Sequence, residues 1–179
     1  RGTKRFDADY GGHIDSDWRF HVGGFYRVGE GPRSVGYDAF RGGQFKLNVT
    51  RQLADGYIRF YLKVLDDRTL PTGSTVPLAV SGTDANPQYA SLPGFSAQND
   101  SFYSRYISRF QQLDPNGQLI TLNLQDGARI KSLALGLETQ FQVAGWTVSD
   151  RFRYSRNSAR VDETVGVVAL PASVFATVF

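Results

Sequence analysis

Residues 44–65, QFKLNVTRQLADGYIRFYLKVL, decide the fold. In the first half Phe45, Leu47 and Val49 alternate with Gln44, Lys46, Asn48 and Thr50; in the second Ile58, Phe60, Leu62 and Val64 alternate with Tyr57, Arg59, Tyr61 and Lys63. A period of two is the side-chain period of a β-strand, so each half presents one apolar and one polar face. Asp55-Gly56 between them is expected to supply the positive-φ backbone of a tight turn, making the stretch a β-hairpin. Function then turns on what the apolar face touches, because a soluble sandwich and a transmembrane barrel both produce this alternation.

The same pattern recurs on either side. A strand is expected near 4–10, with Phe6, Ala8 and Tyr10 opposite Arg5, Asp7 and Asp9, ending at Gly11-Gly12 in a short turn. The next, over 17–28, sets Trp18, Phe20, Val22, Gly24, Tyr26 and Val28 against Arg19, His21, Gly23, Phe25 and Arg27, with Phe25 out of pattern. Residues 29–43 are rich in glycine and read as a loop. After the hairpin strands at 44–52 and 57–65 comes a second long loop, 66–118, which carries Pro71, Pro77, Pro87 and Pro93 and no evident regular element. A turn at 114–117 and a short strand over 119–124 read as an excursion of that loop. Alternation returns at 131–143 and 146–155, where Asp150 sits on the apolar side. Residues 156–163 read as polar loop, and 164–179 are apolar without clean periodicity.

Composition sets bounds on this reading. A chain of 179 residues with 41% hydrophobic and 21% charged side chains is that of a folded protein, and residues 1–179 show no internal domain boundary. Without cysteine there is no disulfide framework, thiolate metal site or thiol nucleophile. The formal charge of +3 is dispersed, which argues against a nucleic-acid surface. No run of about 18 apolar residues exists, so a helical span is excluded, while a barrel strand needs only about 10 alternating residues. The start at Arg1, without an apolar leader, reads as the start of a piece of something longer.

Three regularities favour an all-β antiparallel meander of about six long strands, forming part of a transmembrane β-barrel. Connections alternate short and long, so one sheet end has tight turns (the periplasmic side) and the other large loops (the extracellular side). Aromatics stand at strand ends, with Trp18, Tyr57 and Trp146 after the short turns and Tyr26 and Tyr154 at the far ends, as an interface girdle in outer-membrane lipid would require. The polar faces are strongly polar: Arg19, His21, Arg27, Lys46, Asn48, Arg59, Lys63, Glu138, Gln140, Arg151 and Arg153 suit a wet interior. A soluble β-sandwich binding module and a complete small barrel, with Phe179 as its terminal aromatic, are the alternatives.

The succession GGFYR, G-P-R, GGQ, N-x-T, DGY and LDDRT across 17–69, followed by LQDGARIK and GWTVSDRFRYS, resembles an early barrel segment of TonB-dependent outer-membrane receptors. The resemblance extends to about residue 156. It implies a bacterial outer-membrane location and a 22-stranded barrel around a plug, driven by TonB, that takes up a scarce nutrient such as siderophore-bound iron, cobalamin or an oligosaccharide. This sequence shows neither the plug nor the TonB box, so it is expected to be an internal fragment whose open edges do not insert stably alone.

No enzymatic constellation stands out. His13 and His21 lack a matching cluster of ligands, and Asp66-Asp67 in an extended segment point to opposite sides, better suited to anchoring the loop with Arg68 than to paired acid–base work. No cofactor is implied. If the barrel reading holds, ligand contacts are expected near the loop bases at Arg33, Tyr37, Asp38, Arg41, Asp66, Asp67 and Arg68, with Tyr89, Phe95, Phe102 and Tyr103 either stacking on ligand or packing within the loop.

Overall fold

The computed structural model describes residues 2–71 and 78–163. Ten strands follow in chain order: β1 (Thr3–His13), β2 (Trp18–Gly29), β3 (Phe40–Leu53), β4 (Gly56–Thr69), β5 (Leu78–Thr83), β6 (Asn86–Ser91), β7 (Arg109–Leu113), β8 (Leu119–Asn123), β9 (Ala128–Val143) and β10 (Trp146–Val161). Six of them form one sheet in the order β1-β2-β3-β4-β9-β10, and β5-β6 and β7-β8 are separate two-stranded hairpins within the β4–β9 connection. Every pairing in the main sheet is antiparallel. The sheet is an open meander, with β1 and β10 at its edges. The expected apolar tail, 164–179, and its terminal Phe179 lie outside the described residues.

Turn chemistry fixes one end of the sheet. Between β1 and β2 the Asp15 carboxylate accepts hydrogen bonds from the backbone N–H groups of Asp17 and Trp18, both at 2.8 Å. Between β9 and β10, Ala144 and Gly145 take φ of 50° and 81°, the pair of positive values that matches the strand twist in a two-residue hairpin. The β3–β4 turn is different from expectation. Leu53 pairs with Gly56 around Ala54-Asp55, and none of these residues has a positive φ. Gly56 serves close approach instead: a Cβ there would lie 1.8 Å from the Gln140 carbonyl oxygen on β9.

The strands run further than the alternation indicates. Gly11, Gly12 and His13 belong to β1 rather than to a turn, Asp66, Asp67 and Arg68 belong to β4 rather than to the long loop, and residues 156–161 belong to β10. The long loops are correspondingly shorter, and the second of them contains the β5–β6 hairpin and β7 where no regular element was expected. These hairpins are exposed almost throughout, so they carry no buried face for a period-two signal to mark.

Register places each strand's alternate residues on two coherent faces. Tyr10, Val22, Leu47, Leu62, Leu135 and Tyr154 are successive cross-strand neighbours, and so are Phe20, Val49, Phe60, Leu137 and Phe152. Among the described residues this apolar face has no second layer over it. Phe6, Tyr10, Phe45, Phe60, Val148 and Phe152 are all exposed, and neither small hairpin covers them. The buried hydrophobic cluster lies elsewhere, at the long-loop end, where Val35, Ala39, Leu70, Tyr103 and Leu124 pack together with Tyr37 and Phe40 against them.

Candidate functional site

The polar face is the first candidate. Cross-strand register lines up Arg19, Thr50, Arg59, Glu138 and Arg151 in one row and His21, Asn48, Tyr61, Gly136 and Arg153 in the next. A hollow of about 600 Å³ opens on this side, bounded by residues of all six strands including Arg5, His21, Lys46, Lys63, Ala134 and Arg153.

Charge on this face is locally organised. The Tyr57 hydroxyl donates to Glu138 Oε1, while Arg151 and Arg59 approach the same carboxylate at 3.8 and 4.0 Å. Arg59 Nε also donates to the hydroxyl of Thr50, which is buried. His21 Nε2 stands 3.5 Å from an Asp9 carboxylate oxygen. Phe25, the out-of-pattern aromatic, is accommodated by the Arg5 guanidinium 4.1 Å over its ring. The Tyr61 ring lies across Gly136 so closely that a Cβ there would meet it at 1.8 Å. Lys46 and Lys63 are directly opposite on adjacent strands, an arrangement of like charges that favours an anionic neighbour.

The residues expected at the loop bases do not converge on one ligand site. Asp67 points to the polar face and forms a bidentate, largely buried pair with Arg27, reaching across Gly42, the residue between them in register. Asp66 and Arg68 point the other way. Asp66 accepts from Arg129 Nε and Nη2 at 2.8 and 2.7 Å, so Arg129, and not Arg68, is its partner. Arg68 donates to the Asp38 carbonyl at 2.8 Å and lies 3.7 Å from Asp126. Arg41 shares that face. Arg33 donates to the Asp100 carbonyl, tying the β2–β3 loop to the long excursion, as do the backbone bonds Ser34 to Asn99 and Arg105 to Val35. Tyr37 is part of the loop-end cluster, and burial pushes its phenol up to about 12.

The aromatics divide similarly. Trp18, Tyr26, Trp146 and Tyr154 stand exposed on the apolar face, whereas Tyr57 turns to the polar face, where its hydroxyl is engaged by Glu138, and so falls outside any girdle. Among the loop aromatics Tyr103 is buried and Phe95 and Phe102 have ring centroids 5.9 Å apart, while Tyr89 is exposed on β6. No group of three or more metal-ligating side chains occurs among the described residues, and no described helix is long and apolar enough to cross a membrane.

Sequence reasoning had gathered the polar-face residues but not the Arg27–Asp67 and Arg129–Asp66 pairs. Each joins residues at least 40 positions apart, and no local pattern signals such a pair. Compared with known proteins, the chain matches no family model, no curated protein and no solved structure.

Proposed function

We propose that this chain is a section of the wall of an outer-membrane β-barrel, and specifically of a TonB-dependent receptor that takes up a scarce nutrient. The observation that carries the barrel reading is the uncovered apolar face on a six-stranded antiparallel meander. In water such a face is an association surface; in lipid it is the solvent-facing side of a barrel. Its extent suits that role. From Trp18 to Tyr26 the band runs about 27 Å along β2 at roughly 3.4 Å per residue, and a tilt of about 40° reduces this to about 20 Å, near the apolar height of membrane barrels. Exposed Trp18 and Trp146 mark one edge of the band and Tyr26 and Tyr154 the other, and closure of such a wall around its polar side would leave the charged face inside.

The receptor reading rests in addition on the motif succession in the sequence. In it the polar face lines the lumen against a plug, the packed loops form the extracellular end, and the nutrient meets the loop end and upper lumen. A soluble sandwich would need a second sheet over the apolar residues, and the described residues supply none.

The test is production of the full 179-residue chain without a signal sequence, followed by fractionation and circular dichroism in buffer and in detergent micelles. Insolubility in buffer with β-structure gained in micelles is the expected result. A soluble, β-rich monomer in buffer would overturn the membrane assignment.

A further inference from the structure

Above the apolar band, on the same face, the register creates a feature that the nutrient pathway does not use. Arg41, Arg68, Arg129 and Arg160 are direct cross-strand neighbours on β3, β4, β9 and β10, with Lys131 one row below. At about 4.8 Å between strands, the four arginines span about 14 Å. Like charges placed directly opposite destabilise a sheet unless anions offset them. Three carboxylates do so in part: Asp126 lies 3.7 Å from Arg68, Asp66 is shared by Arg129 and Lys131, and Asp162 pairs with Arg160. Arg41 has no carboxylate partner among the described residues, so the row keeps an excess of positive charge.

The surface beneath this row is shaped as well as charged. A groove of about 670 Å³ holds Arg41, Arg68 and Arg129 with the carboxylates of Asp66 and Asp126 at one side and Phe45 and Val64 at the other, over Gly43. Through Tyr26 and Phe45 it adjoins an apolar dent of about 360 Å³ that lies over Ala8 and Gly24 and is walled by Phe6, Tyr10 and Val22. With Asp126 beside Arg68 and Asp66 on Arg129, the groove keeps the net positive charge of Arg41, and together with the apolar dent beside it this matches an amphiphile with phosphate at one end and hydrocarbon at the other.

We propose that this face binds a phosphate-bearing lipid of the surrounding leaflet, its phosphates on Arg41, Arg68 and Arg129 and an acyl chain in the Ala8–Gly24 dent. This rests on the barrel reading, since only a chain inserted in lipid presents the face to lipid headgroups. Free phosphate would satisfy the arginines but leave the apolar dent unexplained.

The experiment uses the full chain folded in zwitterionic micelles and titrated with a bisphosphorylated lipid, followed by tryptophan fluorescence and native mass spectrometry. Three outcomes are expected together. The phosphorylated lipid is retained at least tenfold better than a zwitterionic lipid of equal chain length, millimolar inorganic phosphate does not displace it, and the preference weakens as salt rises. Arg41→Gln lowers the preference about fivefold or more with β-content unchanged, and Lys46→Gln on the opposite face leaves it intact. A chain that folds in the micelles but retains both lipids equally, or whose preference survives in Arg41→Gln combined with Lys131→Gln, overturns this proposal alone. Displacement by inorganic phosphate overturns the lipid and leaves an anion site. A chain that gains no β-structure in any micelle overturns the barrel reading and this proposal with it.

Discussion

At the long-loop end Val35, Ala39, Leu70, Tyr103 and Leu124 are packed away from water, whereas on the sheet next to them Phe6, Phe60, Phe152 and Trp146 stand exposed. One chain thus handles apolar side chains in two ways. The loop cluster excludes water by folding back on itself, with the Arg33–Asp100, Ser34–Asn99 and Arg105–Val35 bonds closing it. The sheet instead satisfies its backbone through the ladder and leaves its apolar side chains uncovered by any other described element. The difference teaches that the exposure of large side chains on this sheet is systematic: its exposed aromatics, Phe6, Tyr10, Trp18, Tyr26, Phe45, Phe60, Trp146, Phe152 and Tyr154, all lie on one register-defined face.

The sharpest way to break the comparison is a charge on the sheet. Phe60→Arg is expected to cost roughly 2–4 kcal/mol when stability is measured by denaturant titration of the chain folded in micelles, the range for a cation near the middle of a barrel's lipid face. If Phe60 is merely a surface residue in water, the change stays within about 0.5 kcal/mol, and the contrast between the two regions dissolves.

The junction of the two regions is the next test. Arg27 and Asp67 join β2 to β4 over Gly42, just below the loop cluster, with side-chain exposures of only 20% and 15%. Asp67→Asn leaves the guanidinium half-satisfied and is expected to cost about 1–3 kcal/mol. Hydrogen exchange should quicken in residues 26–31 and 40–43 before it does so in β9 and β10. Uniform loss of protection across the sheet would mean that the pair supports the whole fold rather than the junction.

Within the loop cluster Val35→Ala removes two methyl groups from a side chain 3% exposed, an expected loss of about 1–2 kcal/mol. The effect should stay local, with faster exchange in 30–39 and 95–105 and unchanged β-content by circular dichroism. A fall in β-content would show that the loops hold the sheet together.

The smallest expected effect is on pH. Tyr37 has its phenol raised to about 12 from 10.0 by burial, so the folded cluster keeps a proton that the unfolded chain releases. With fewer protons bound by the unfolded state, stability falls as pH rises. This contribution is fully present below about pH 10 and is lost as pH climbs through 12. The check is the ultraviolet absorbance of phenolate formation: Tyr37→Phe should remove one tyrosine's share from the late-titrating absorbance of the wild type. A late phase of unchanged size would assign it to another tyrosine.

Much of the sheet was legible because alternation is a direct record of two environments. Phe45, Leu47 and Val49 against Lys46 and Asn48 reported strand, face and neighbour at once. Strand ends were not legible for the same reason. The pattern marks the height of the apolar band, and β4 continues beyond it through Asp66, Asp67 and Arg68, where both faces are polar and alternation vanishes. The β5–β6 hairpin and β7 escaped notice because they are exposed nearly everywhere and hence have no contrasting faces, whereas the turn at 114–117 and the strand that follows it, β8, were legible from the Asp114-Pro115-Asn116-Gly117 signal and the alternation after it.

By itself, then, the sequence determined the all-β meander, the two-faced strands and the alternation of short and long connections, because period and turn chemistry act over a few residues. Only the tertiary structure decided that Asp66 pairs with Arg129 while its neighbour Asp67 pairs with Arg27, that Tyr57 faces Glu138, and that four arginines from distant positions form one row. Those outcomes depend on register, which side chain stands beside which across strands. Register is set by the whole ladder of backbone bonds and cross-strand contacts at once, so no single segment encodes it.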